Sequence, residues 1–385
     1  VSGQWSVVVA LLVLFITLPS VSAQVVFSPP RAFPAGKGPF VAAAADLNGD
    51  GLLDLAVPDK DGHCVSILFG DGRGNFSVPT EYPTGRSPRF AVCADLNGDK
   101  ALDLVIANRE SGDLTLLFGD GKGRFPQSAS LPISRGPQAV AVADLNGDTT
   151  PDLAVAGRES GRLSFYLNDG RGQFTGPVLL RMGKGPRDVI AADLNKDGAP
   201  DLATANRVGG TVTVRFGDGR GAFADSLTLA AGDGPTMLLS TDVNRDGTLD
   251  LVVADRAVSD RASGDEAPGI NEQGRLLLFM GDGKGHFIAP TEWDAGGHPA
   301  GIAAADLNGD GAVDLAVANN APDNLVVLLG DGRGGFSAPV VVSAEVGQTP
   351  RAVLAVDLDR DGRLDLIVPS RDSDSVFVLL NRTPL

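Results

Sequence analysis

Hydrophobic residues in this chain come in short runs, each closed by a cluster of Gly, Asp, Asn or Pro. No long stretch carries apolar residues at helical spacing. Short runs rich in Val, Ala, Leu and Phe between turn residues predict strands. Four kinds of run recur in a fixed order. An Ala/Val run such as Ala139 to Ala143 leads into an acidic loop. A second run, such as Asp152 to Ala156, leads into a polar turn. A third, such as Leu114 to Phe118, ends in Gly-Asp-Gly-x-Gly-x-Phe. A fourth runs to a Gly/Pro corner, with prolines at Pro39, Pro88, Pro137, Pro186, Pro235, Pro299 and Pro350.

The repeat is clearest in the acidic loop. Asp46-Leu47-Asn48-Gly49-Asp50-Gly51 returns as variants starting at Asp95, Asp144, Asp193, Asp242, Asp306 and Asp357, at spacings of 49, 49, 49, 49, 64 and 51 residues. Four strands in such a unit make one propeller blade. The fold class expected is therefore all-β: a seven-bladed β-propeller with four antiparallel strands per blade. Small Ala/Val first strands suit the crowded ring near the axis, and Leu/Phe third strands suit the wider gaps further out. The long interval holds an insertion, about residues 258–273, expected as a surface loop. An open solenoid is the competing architecture, but it needs polar capping units, and none is visible. The last repeat stops after its third strand, Val376 to Leu380. Val25 to Pro29 resembles Asn75 to Pro79, the start of a fourth strand. The N-terminal strand is thus expected to complete the last blade and close the ring.

Charge changes the picture. The formal net charge is −16, which argues against nucleic acid and anionic membranes as partners. The acids concentrate in one pattern, Asp-x-Asn/Asp-x-Asp-x-x-x-Asp. Oxygen side chains at alternate positions, a backbone carbonyl at position 7 and a further carboxylate at position 9 can wrap a hard cation. In the first loop these are Asp46, Asn48, Asp50, the carbonyl of Leu52, and Asp54. The next sets are Asp95, Asn97, Asp99, Ala101, Asp103; then Asp144, Asn146, Asp148, Thr150, Asp152; and Asp193, Asn195, Asp197, Ala199, Asp201. Three more follow: Asp242, Asn244, Asp246, Thr248, Asp250; Asp306, Asn308, Asp310, Ala312, Asp314; and Asp357, Asp359, Asp361, Arg363, Asp365. They take up 22 of the 48 acidic residues, so seven divalent ions would cancel most of the net charge. All-oxygen, carboxylate-rich ligands favour Ca2+, at about seven sites, over zinc or magnesium. Position 12 is apolar, as at Val57 and Val155, so the loops are not EF-hands. Two lack Gly at position 6, having Lys100 and Thr149, and are expected to be weaker or distorted. The plain alternative is a set of Asx turns that need no ion, although turn chemistry alone does not call for Asp at position 9.

The Asp-Leu-Asn-Gly-Asp-Gly loops, Asp-Leu-Ala-Val strands and Phe-Gly-Asp-Gly-x-Gly-x-Phe turns resemble FG-GAP, or VCBS, repeats, as found in integrin α-subunit propellers and secreted bacterial proteins. The resemblance covers about residues 25 to 385. It implies a seven-bladed propeller with calcium in the hairpin between first and second strands. It does not fix one function, since members are adhesion modules, lectin-like domains or accessory domains of enzymes.

Strand alternation places the acidic loops and the Gly-Asp-Gly turns on one face. On the other face one register reads Lys60, Arg109, Arg158, Arg207, Arg256, Asn320 and Arg371. The residue after the corner proline adds Arg89, Arg187 and Arg351. This basic ring is a candidate site for an anionic ligand such as an acidic glycan. The bland alternative is that the arginines pair with Glu110, Glu159, Asp255 and Asp372 or are simply solvated.

The function expected is a secreted calcium-binding propeller acting as a binding or adhesion module for a protein or glycan. Enzyme activity is not expected: His63, His286 and His298 lie in unrelated positions, and the Gly-rich turns join strands without opening a helix. A polysaccharide lyase-like enzyme on the same fold is the runner-up. Residues 1–23 read as a signal peptide, with an apolar run from Val7 to Leu18 and a small-x-small pattern at Val21-Ser22-Ala23. An uncleaved N-terminal anchor is the alternative. That leaves 24–385 as a single domain, secreted or periplasmic, with no membrane span after cleavage and expected as a monomer. Cys64 and Cys93 are expected as free thiols, with a bond between neighbouring blades as the alternative. Asn75-Phe76-Ser77 and Asn381-Arg382-Thr383 match the N-glycosylation pattern.

Overall fold

A computed structural model describes residues 25–133, 136–159, 161–256 and 273–384. The expected signal peptide, and the insertion apart from Gln273, lie outside the described residues. Within them the chain forms seven sheets, each of four antiparallel strands. Blade 1 comprises Ala43–Ala45, Asp54–Asp59, Cys64–Leu68 and Thr80–Pro83. Blade 2 comprises Pro88–Ala94, Asp103–Asn108, Asp113–Phe118 and Gln127–Pro132, and blade 3 runs from Pro137–Ala143 to Phe174–Arg181. Blades 4, 5 and 6 begin at Pro186–Ala192, Pro235–Thr241 and Pro299–Ala305. The corner proline therefore starts the first strand in five blades, where its missing N–H costs no ladder bond.

Blade 7 is closed as the sequence predicts. Its sheet order is Arg31–Pro34, Ser375–Leu379, Asp365–Ser370, Leu354–Val356. The outer strand pairs Arg31 with Val378 and Pro34 with Ser375. Before that strand, Ser28 N–H donates to the Leu380 carbonyl at 2.8 Å, Val26 N–H to Thr383 Oγ1 at 3.0 Å, and Arg382 N–H back to the Val26 carbonyl at 2.7 Å. Both ends of the described chain are thus stitched into one blade.

The second strands show why their apolar runs are continuous. In all seven blades the position-9 Asp and the five second-strand residues after it are buried, because a neighbouring blade covers each face of the sheet. The core is accordingly divided into seven clusters between consecutive blades. Between blades 2 and 3, Leu96, Val105 and Leu114 meet Val140, Leu153 and Tyr166. Four aromatic pairs seal such gaps edge-on: Phe33 with Phe76, Tyr82 with Phe125, Phe165 with Phe223, and Trp293 with Phe336, at 5.2 to 5.8 Å between ring centroids. Each joins a turn Phe to the preceding blade, at about 0.5–1.5 kcal/mol beyond area burial.

Cys64 and Cys93 are free thiols. Burial pushes both up to about 12, so neither is a ready nucleophile. Asn381 fits a different role from the glycan acceptor its motif suggests. It is 1% exposed, and its amide donates to the Leu307 and Leu364 carbonyls at 2.8 and 3.1 Å. Among the described residues no helix is long and apolar enough to cross a membrane.

Candidate metal loops and the opposite axial face

Each acidic loop is a nest of Asx hydrogen bonds. In the first, Asp46 Oδ1 accepts Gly49 N–H at 2.7 Å and Oδ2 accepts Gly51 N–H at 2.8 Å. Asn48 Oδ1 accepts Asp50 N–H, and Asp50 Oδ1 accepts Leu52 N–H, both at 2.8 Å. The position-1 carboxylate holds the N–H of position 6 in every loop. Lys100 and Thr149 do not distort this path. Each adopts φ of 72°, close to the 81° of Gly51, so those two loops keep the shape at the cost of a left-handed non-Gly residue. The expected distortion is therefore absent from the backbone.

Position 9 has a task the sequence does not reveal. Asp54, Asp103, Asp152, Asp201, Asp250, Asp314 and Asp365 are all fully buried. One oxygen of each accepts the N–H of loop position 2. The other accepts the N–H of a residue at the end of the third strand or one or two places past it, with all fourteen distances between 2.7 and 3.0 Å. The side chain is a clip across the sheet as well as a candidate ligand. Burial pushes these carboxyls up, and the Asp residues at positions 5 and 1 push all of the first six further. Asp201, Asp314 and Asp365 reach about 6.

The seventh loop differs from the rest. In loops 2 to 6 the position-3 Asn amide donates to the position-5 carboxylate at 2.8 or 2.9 Å. Asp359 cannot donate. Its carboxylate gathers with Asp357 and Asp361, the one group of three such ligand atoms within 4.8 Å among the described residues. Cations of the chain enter instead. Arg382 Nη1 lies 2.9 Å from Asp359 and 3.0 Å from Asp361, and Arg363 also pairs with Asp361. Asp359 Oδ1 stays buried with no hydrogen-bond partner. A carboxylate oxygen used once still has a second lone pair, and all donors in these loops are hard oxygens. The loops thus fit a calcium ion by their donor chemistry, and the orphaned oxygen of Asp359 adds a vacant acceptor in the seventh.

The loops are linked around the face. Gly123, Gly172 and Gly221 of the Gly-Asp-Gly turns donate N–H to Leu47, Leu96 and Leu145 of the preceding blade's loop at 2.8 to 3.1 Å. Arg245 reaches the Asp310 carbonyl at 3.2 Å, and Arg360 reaches that of Gly51.

On the opposite face the structure separates the predicted basic residues into two sets. Lys60, Arg109, Arg158, Arg207, Arg256, Asn320 and Arg371 form one true register. Each donates its backbone N–H to the carbonyl just before a corner proline, at 2.9 to 3.2 Å. Arg207 and Arg256 are buried there. Arg371 pairs with Asp61 at 3.5 Å and Asp372 at 3.6 Å, which is the bland reading for that residue. Asp255 pairs with Arg275, a partner the sequence did not suggest. The second set, Arg89, Arg187 and Arg351, stands closer to the axis. These three line a cavity formed by the residues one and two places after the corner prolines, together with Phe40, Gln138, Asp188 and Thr236. Phe40 and Gln138 escaped sequence analysis, although their place after Pro39 and Pro137 could have marked them.

A family model described as an FG-GAP-like repeat matches residues 95–155, 144–204, 197–253, 262–317 and 306–368. Among solved structures, BBS1N in complex with ARL6DN, soaked with lead, is similar with a TM-score of 0.63 at 14% identity, covering 94% of this chain and 98% of that one. A structure of an Agrocybe aegerita lectin, solved for its recognition of non-reducing terminal N-acetylglucosamine, has a TM-score of 0.52 at 16% identity, covering 80% and 81%. At such identities the likeness is one of fold. No curated protein matches the sequence.

Proposed function

The chain belongs to the FG-GAP-like repeat family, and from that premise we propose that it is a calcium-stabilised binding propeller that acts outside the cell and takes its ligand on the face opposite the calcium loops. The observation that carries the calcium part is the seven-fold recurrence of one loop geometry with oxygen donors alone. Side chains at positions 1, 3, 5 and 9, with the carbonyl of position 7, would hold the ion. Bound calcium would supply positive charge to clustered carboxylates and tie the first strand to the second. The position-1 and position-5 residues hold the loop open around the ion position, and the position-9 clip anchors it to the third strand.

Binding is favoured over catalysis because the face opposite the loops gathers arginines around an axial cavity. The fold relatives add support: one was solved with a protein partner and one is a lectin. The apolar run from Val7 to Leu18 and the small residues after it support export.

Thermal unfolding with calcium and then with excess chelator tests the reading. A ligand that binds only the folded state stabilises it by about 2.7 kcal/mol per site at a hundredfold excess over Kd. Chelation should therefore lower Tm strongly, with recovery in calcium but not in magnesium. An unchanged melting curve would reduce the loops to metal-independent turns.

A further inference from the structure

We propose that the axial cavity opposite the calcium loops is a binding site for a small oxyanion group, a carboxylate or a phosphate, gripped by Arg89, Arg187 and Arg351. The inference rests on the binding-module reading above and places the ligand's charged group on the axis.

The geometry comes from the repeat. The residue after each corner proline lies at or just before the start of a first strand, and first strands surround the axis. Seven copies of that position therefore converge on one point. In a chain with 32 Lys and Arg against 48 Asp and Glu, three of these seven positions are arginine. Arg89 is 1% and Arg351 6% exposed, so both cations have largely left water. The cavity leaves about 50 Å³ for water-sized molecules, which is room for a few waters or one small oxyanion.

The wall is built for guanidinium. Arg89 Cζ sits 4.9 Å and Arg351 Cζ 5.4 Å from the centroid of the same Phe40 ring. A ring face favours a cation and fixes the plane of its N–H fork. Two like charges on one ring repel each other, and an anion between them turns that repulsion into attraction. Each of the three arginines also makes contacts within the protein. A guanidinium carries five N–H donors in a fixed fork, so it can serve more than one partner at a time. Asp188 is the one acid of the wall. Its oxygens accept Val189 N–H and Leu238 N–H at 3.0 Å, so it clips blade 4 to blade 5, and its charge faces that of Arg187. Gln138 adds a neutral donor and acceptor to the lining. Planar forks with an amide beside them suit a planar or tetrahedral oxyanion, and a cavity of this size excludes the bulk of a polysaccharide. What enters is one charged group, either free or at the end of a larger ligand.

Calorimetric titration of the protein with acetate, glucuronate and inorganic phosphate, at an ionic strength held constant with chloride, tests this. The expected result is saturable one-to-one binding of at least one probe, weakened tenfold or more in Arg351→Gln and in Arg187→Gln. Arg73→Gln, an exposed change on the other face, should leave the isotherm unchanged. Comparing glucuronate with acetate tells a sugar acid from a bare carboxylate, and phosphate tells the tetrahedral anion from both. Arg187 is only half-buried, so its variant carries the test should Arg351→Gln fail to fold. Heats no larger than the chloride control for all three probes would overturn the proposal, as would unaltered binding in the arginine variants. A Tm that falls on chelation while no anion binds would sink this site and leave the calcium reading intact; the converse pair of results would do the opposite.

Discussion

Arg382 donates to Asp359 at 2.9 Å, placing a residue from the extreme C-terminal stitch in the seventh acidic loop. The same nitrogen reaches Asp361 at 3.0 Å. This loop has four acids where the others have three, and the chain supplies a cation where it is most acidic. Because Arg382 is partly exposed, the pairs are worth only about 1 kcal/mol together. Arg382→Gln should therefore lower stability by about that amount in chelator, measured by urea unfolding. In millimolar calcium the deficit should shrink, as a divalent ion takes over the role of the guanidinium.

Position 9 separates clip from ligand. In Asp103→Asn the carboxylate that accepts Leu96 N–H and Gly119 N–H becomes an amide. Its NH2 then faces a backbone N–H, leaving a buried donor unsatisfied at about 2–4 kcal/mol. The loss should appear in the denaturation midpoint with chelator present as well as with calcium. A loss confined to the calcium-loaded protein would reduce position 9 to a ligand alone.

Lys100 and Thr149 hold φ of 72°. A left-handed backbone costs a non-Gly residue about 1 kcal/mol, which Gly avoids, although Gly also gives the unfolded chain more freedom. Lys100→Gly should thus raise stability by about 0.5 kcal/mol and leave the loop path as it is. Gly51→Ala, at φ of 81°, should lower it by about 1 kcal/mol. Both are read from urea midpoints at constant m-value.

Asp59 offers a pH test away from the loops. It is fully buried, and burial pushes its carboxyl up to about 7, opposed by hydrogen bonds from Ser66 and Cys64, with Glu81 adding a further upward push. A folded value above the unfolded 3.8 means the protonated form is favoured by folding. That contribution is complete below about pH 4 and is lost as pH rises to about 7. The loss is at most a few kcal/mol, at about 1.4 kcal/mol per pKa unit. Blades 2, 4 and 6 carry Asn108, Asn206 and Asn319 at this place, and the first two donate to Thr115 and Thr213 as an Asn at 59 could to Ser66. Asp59→Asn should therefore stabilise the protein at pH 7 and flatten its stability between pH 4 and 7. A variant less stable than the parent at pH 7 would contradict this account.

The blade was legible in the residues because its signals are local. Gly at the tight turns, Asp and Asn in the loops, and apolar runs of strand length each act within a few residues, and seven copies made the pattern certain to repeat in space. Closure by the N-terminal strand was legible too, since one strand was missing at one end and spare at the other. Side-chain destinations were not. The eight candidate arginines looked alike in the sequence, yet Arg89 faces the axis beside Phe40 while Arg371 pairs with Asp61 of the next blade round the ring. Asn381 matched a glycan motif, but ring closure buries it under the sixth blade's loop.

The sequence by itself determined the number of blades, the order of strands and the placing of every acidic loop, because each depends on contacts between near neighbours in the chain. Only the tertiary structure decided that position 9 is a buried clip, that Arg382 answers the seventh loop, and that three arginines share an axial cavity. Each of these joins residues from different strands or blades, and their meeting depends on how the closed ring turns each strand toward its neighbours.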